Sequence, residues 1–161
     1  MIGFGVAKAD SAEIAITVQI QSLGVSVYPE SWDIGIVAAG SQQSSGEFSV
    51  TNTGNVPEKF QLNTANSTNW GNAAGDAAGI DEFVLRGLFD DPTTSQNFGA
   101  DDKITNVAQD ATNVIFSDGN STGTNVDVYE NRSLYLQLDV PTAGSSTDPQ
   151  TINVTITAVA Q

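Results

Sequence analysis

The chain reads as an all-β protein, an antiparallel sandwich with a long loop insertion and an N-terminal extension strand. Three observations predict this. Apolar residues recur at every second position in short segments, as at Leu134, Leu136, Leu138 and Val140, the mark of a strand with one buried face. Turn residues such as Asn52, Gly54 and Asn55 separate these segments, and they suit backbone conformations at φ > 0. Thr, Ser, Asn, Gln and Gly dominate while Lys and Glu are few, a bias against long helices.

Residues 1–21 read as an extension and residues 22–161 as one sandwich domain. At the start, Ile2, Phe4 and Val6 alternate with Gly3, Gly5 and Ala7. Ala7-Lys8-Ala9 has the form of a signal cleavage site. The apolar part is too short for a complete signal and no basic residue precedes it, so we read a strand. Large residues alternating with Gly suit insertion between sheets, one side filling pockets while the other lets backbones approach. Burying Ile2, Phe4 and Val6 contributes roughly 5–9 kcal/mol before entropy costs. Ile14, Ile16, Val18 and Ile20 then sit in one phase. Leu23, Val25 and Val27 sit in the other, which requires a bulge near Gln21 and Ser22 or two strands with different partners. Pro29 ends the stretch, since it cannot donate to a ladder.

Strands are expected at residues 32–37, 47–52 and 58–63, with turns over 39–46 and 53–57. Residues 64–79 read as loop. Residues 83–89, apolar on both parities, are a buried strand or a short helical turn. One helical turn is expected near 102–107, a short strand at 114–116, and loop over 117–125. Residues 132–140 and 152–160 are the last two strands, joined by a loop over 141–149.

In the segment running from Trp32 to Leu62 the pattern resembles the Hydin-like (ASH-type) immunoglobulin-like domains. Asp33, Ile34, Gly35, Val37 and Gly40 match its first motif, with Ile34 where the family has Phe. Phe48, Val50, Asn52, Thr53, Gly54 and Pro57 match its second. The resemblance implies an immunoglobulin-like sandwich. The Asn-Thr-Gly hairpin also gives a loose resemblance to camelysin-type biofilm-fibre proteins. That resemblance implies an extracellular fibre subunit joined to its neighbour by an N-terminal strand.

Composition excludes several functions. Nineteen acidic residues stand against five basic ones, a formal charge of −14, the wrong sign for binding phosphates or an anionic membrane surface. With no Cys and no His, the chain has no thiol nucleophile, no Ser-His-Asp triad, no disulfide and none of the usual zinc ligands. No run of about eighteen apolar residues spans a membrane.

Weaker signals remain. Asp118, Asn120 and Thr122 match the first half of a calcium loop with Gly123 following. The twelfth position is Tyr129 rather than Glu, so an ordinary turn is the competing reading. Asp90-Asp91 and Asp101-Asp102 could add oxygen ligands, although such pairs more often solvate a loop. Trp32 and Trp70 could stack on a glycan, although a Trp in a sandwich is usually core. Asn66, Asn120, Asn131 and Asn153 each begin a glycosylation sequon, and Asn153 and Thr155 would share the outward face of the last strand. Lys8, Lys59 and Lys103 lie in polar contexts, which disfavours an isopeptide staple. Nothing places two carboxylates in a cleft as a glycosidase requires.

The expected function is therefore an exported structural subunit and not an enzyme. It would form an extracellular or surface filament, a pilus or matrix fibre, as a head-to-tail homopolymer. Ile2, Phe4, Val6, Ile14, Ile16, Val18 and Ile20 would make the subunit interface. No cofactor is expected beyond possible calcium. The alternative is a surface adhesion or carbohydrate-binding module using the 64–125 loops.

Overall fold

Residues 131–139 bury Leu134, Leu136 and Leu138 in phase, with Tyr135 buried on the other face, and become the spine of the molecule. In the computed structural model, which describes residues 13–119 and 121–161, this strand is β8 (Asn131–Asp139). Along one edge it pairs with β2 (Gln42–Ser44) and β3 (Phe48–Asn52), along the other with β6 (Glu82–Phe89), all antiparallel. β1 (Val25–Tyr28) adds to β3, and β5 (Gly71–Asn72) adds to β6 in parallel. Opposite this six-stranded sheet lies a three-stranded one of order β7-β4-β9, formed by β7 (Gln109–Asp110), β4 (Glu58–Thr64) and β9 (Val154–Ala160). The protein is thus an all-β sandwich of immunoglobulin-like character, with no α-helix among the described residues. The helical turn expected near 102–107 is a single 3₁₀ turn, η1 (Ala100–Asp102).

β3 and β4 bury their side chains in strict alternation, and the two sheets meet through one apolar core. Phe60 and Leu62 of β4 face Phe48 and Val50 of β3, Leu134, Leu136 and Leu138 of β8, and Phe83, Leu85 and Phe89 of β6. The Phe60 and Phe89 rings stack with centroids 6.0 Å apart across the interface, a favoured aromatic arrangement. Residues 83–89 are a strand, the first of their two sequence readings. Their double-parity hydrophobicity reflects burial on both sides, with Phe83, Val84, Leu85, Leu88 and Phe89 all buried. Gly87 interrupts that run because a Cβ there would sit 2.9 Å from Ile104 Cδ1. Its missing side chain admits Ile104 to the core.

Three expected strands are not ladders. Trp32, Ile34 and Val37 do pack against the core, but Gly35 at φ 71° breaks the extended path and no strand forms at 32–37. Residues 114–116 form a turn, with Phe116 at φ 58° burying its ring while its carbonyl accepts from Phe89 N at 2.9 Å. Residues 14–20 make no ladder with any described residue. Residues 64–125, read as a long insertion of loop character, carry β6, an interior strand of the larger sheet between β8 and β5.

Candidate functional site

The Asn-Thr-Gly turn between β3 and β4 is a scaffold for the chain that precedes β1. Asn52 is fully buried. Its amide donates to the carbonyls of Val56 and Val126 at 2.9 Å each, and its Oδ1 accepts from Gly54 N at 2.8 Å. The turn so fixed continues the β1 ladder beyond the end of β3. Thr53 N donates to Gly24 O at 2.9 Å and Asn55 N to Ser22 O at 3.0 Å. Asn55 Oδ1 accepts from Ser22 N at 2.8 Å while its Nδ2 donates to Ile20 O at 2.9 Å. Buried Glu58 accepts from Gly24 N through Oε1 at 2.8 Å. A Cβ on Gly54 would collide with that Oε1 and with Ser22 O, so only glycine lets the strands approach here.

Before this anchor the side chains of Ile14, Ile16, Val18 and Ile20 are 82–89% exposed. They are four of the seven residues foreseen as subunit interface. Ile2, Phe4 and Val6 lie outside the described residues, as does Asn120. The residues between Ile14 and Ile20 are exposed too, so the whole segment 13–22 is exposed on both faces.

β9 pairs with β4 alone among the described residues. In this ladder the odd residues of β4 face β9, because the even ones bond elsewhere: Glu58 N to Val126 O, Phe60 N to Gly123 O and Thr64 N to Thr105 O. The register Glu58↔Ala160 to Thr64↔Val154 then turns the backbone N–H and C=O of Val154, Ile156, Ala158 and Ala160 toward the free edge. The side chains of Val154 and Ile156 reach the core from this edge yet stay only half-buried, as do Val25 and Val27 of β1. β1 and β9 are the edge strands of the two sheets and approach each other on this side.

Two acidic hollows lie elsewhere. One, of about 280 Å³, is lined by Asn97, Asp101, Asp102, Asn113, Ser117 and Asp118. Burial raises the Asp102 carboxyl above the usual carboxylate range, and the charges of Asp101 and Asp118 add to that, against the opposing hydrogen bond from Gly99 N. The other, of about 550 Å³, includes Glu47, Asp90, Asp91, Thr122 and Arg132. Asp118 and Thr122, expected together in one calcium loop, thus line different hollows. Among the described residues no three Asp, Glu, His or Cys side chains gather closely enough to hold a metal by themselves.

Trp32 and Trp70 are both half-buried against the core. Asn66, Asn131 and Asn153 are exposed, and Asn153 shares the outward face with Thr155. Lys103, expected in a polar context, is buried, with Nζ donating to the carbonyls of Ala73 at 2.7 Å and Ala74 at 3.2 Å. Lys59 pairs with Asp110. No described helix is long and apolar enough to cross a membrane.

The chain matches no protein-family model, no curated protein and no solved structure.

Proposed function

We propose that this chain is an exported structural subunit that polymerises into an extracellular filament by giving the strand at residues 14–20 to a neighbouring copy. The observation that carries the reading is the exposed, in-phase row Ile14, Ile16, Val18 and Ile20, held at its base by Asn55 and Glu58. Its natural receiver is the free edge of β9, on the side where β1 lies. Residues 14–20 and β9 are each seven residues long, and neither carries a charge in a chain of net −14. The alternate apolar side chains would fill the half-covered core beside Val25, Val27, Val154 and Ile156, while Ala15, Thr17 and Gln19 face out. A head-to-tail contact of this kind does not close on itself and grows a filament.

Burying the four side chains yields about 6–12 kcal/mol at about 1.5–3 kcal/mol each. Association costs about 4–15 kcal/mol. The margin is narrow, so one polar substitution in the row suffices to dissolve the junction. The test is Ile16→Asp with Val18→Asp, followed by electron microscopy and sizing. We expect a folded monomer with an unchanged melting temperature and no filaments. Filaments from this variant would overturn the reading.

A further inference from the structure

We propose that the hollow between residues 97–102 and 113–118 is a divalent-cation site, fitted to calcium, in which the Asp102 carboxylate is the buried anchor. This inference stands apart from the assembly reading and would survive its failure.

Asp102 is only 4% exposed, yet its Oδ1 has no hydrogen-bond partner while its Oδ2 accepts from Gly99 N at 2.6 Å. A buried carboxylate oxygen left unpaired is costly in any fold. The cations near it are engaged elsewhere. Lys103 turns its ammonium to the carbonyls of residues 73–75, and Arg86 bonds Asp139 Oδ2 at 2.6 Å and Asp76 O at 2.9 Å. Asp102 lines a hollow whose other polar walls are Asn97, Asp101, Asn113, Ser117 and Asp118. Every side-chain ligand offered is an amide, hydroxyl or carboxylate group, the hard-oxygen set that calcium takes and that zinc or copper does not prefer.

The two walls are fixed by one strand. Ile104 N donates to Leu85 O at 2.8 Å and Phe89 N to Phe116 O at 2.9 Å, so β6 holds the ends of both loops in register. An ion here would cross-link two segments that β6 already holds side by side. The second hollow has a comparable orphan, Asp90 Oδ2, but the Arg132 guanidinium lines it and opposes a cation. Two carboxylates aided by neutral oxygens and water make a weak site, with an expected Kd of about 0.1–1 mM, the range of extracellular calcium modules.

The test is calorimetric titration of the full chain with calcium, together with melting in calcium against EGTA. Wild type, Asp102→Asn, Asp118→Asn and Asp90→Asn are compared, with magnesium at matched ionic strength. We expect saturable binding and a melting rise of several degrees for wild type and Asp90→Asn. Affinity should fall at least about tenfold in Asp102→Asn and in Asp118→Asn, with circular dichroism confirming that each variant is folded. Absence of binding in wild type overturns the site. So does an unchanged calcium response in the Asp102 or Asp118 variant, or an equal magnesium response, which would mean general screening of an acidic surface.

Discussion

Asn52 shows how one polar side chain can hold two edges of a sandwich together. Its three side-chain bonds reach β3's own turn, the start of β4 and the strand-like segment at Val126. Each bond is worth about 0.5–1.5 kcal/mol net, and the Val126 carbonyl keeps its bond from Glu58 N when the side chain is truncated. Asn52→Ala should therefore lower stability by about 2–4 kcal/mol in urea denaturation, and a change under about 1 kcal/mol would show that the turn holds without it. A different residue-scale effect governs acid behaviour. The Lys59 ammonium, then the Gln61 amide, hold the Asp110 carboxyl below the usual carboxylate range, and Arg132 does the same for Glu130. A carboxyl lowered on folding stabilises above its ordinary value, and this contribution is lost as pH falls through the lowered one. Stability should thus decline below about pH 4, and Asp110→Asn should make the decline shallower. Both carboxylates are more than a third exposed, so each pair contributes no more than about 1 kcal/mol.

At the scale of elements, the backbone at β9's outer edge makes a sharp prediction. Ala158 N–H points away from β4, so proline at this position removes an edge donor without removing a β4 ladder bond. If neighbouring subunits dock on β9, Ala158→Pro should yield a folded protein by circular dichroism that no longer elongates. Elongation at the wild-type rate would move the receiver to another edge. The same contrast between pattern and partner explains what the sequence could and could not reveal. Alternation locates four strands, expected at 47–52, 58–63, 132–140 and 152–160 and found at Phe48–Asn52, Glu58–Thr64, Asn131–Asp139 and Val154–Ala160, because each turns an apolar row to the core. Residues 14–20 carry the same alternation and have no ladder among the described residues: period 2 reports a face that wants burial, not who covers it. Trp32, Ile34 and Val37 reach the core without a ladder for the related reason that hydrophobic contact does not require one. The Asp102 hollow was illegible beyond its acidic pair. Its walls are some fifteen residues apart in sequence and meet only because β6 fixes both, and no linear spacing encodes that register. Asp118 and Thr122 share a local turn motif in the sequence, yet they line different hollows in the fold.

For the whole molecule the dominant physical fact is charge: −14 on 161 residues makes every encounter between copies repulsive at long range. The proposed junction offers no compensating ion pair, since residues 14–20 and Val154–Ala160 contain no charged side chain. Attraction then comes from apolar burial and ladder bonds, which monovalent salt at these concentrations does not screen. The repulsion is screened, as the Debye length shrinks from about 30 Å at 0.01 M to about 8 Å at 0.15 M. Filament growth followed by light scattering should therefore accelerate as sodium chloride rises across this range, with EGTA present throughout so that no divalent ion contributes. Junctions built on ion pairs would behave oppositely, slowing and dissolving as salt rises. The sign of the salt dependence thus distinguishes a strand-exchange joint from an electrostatic one, and growth that slows with salt would place the joint on a charged face of the sandwich instead of on residues 14–20.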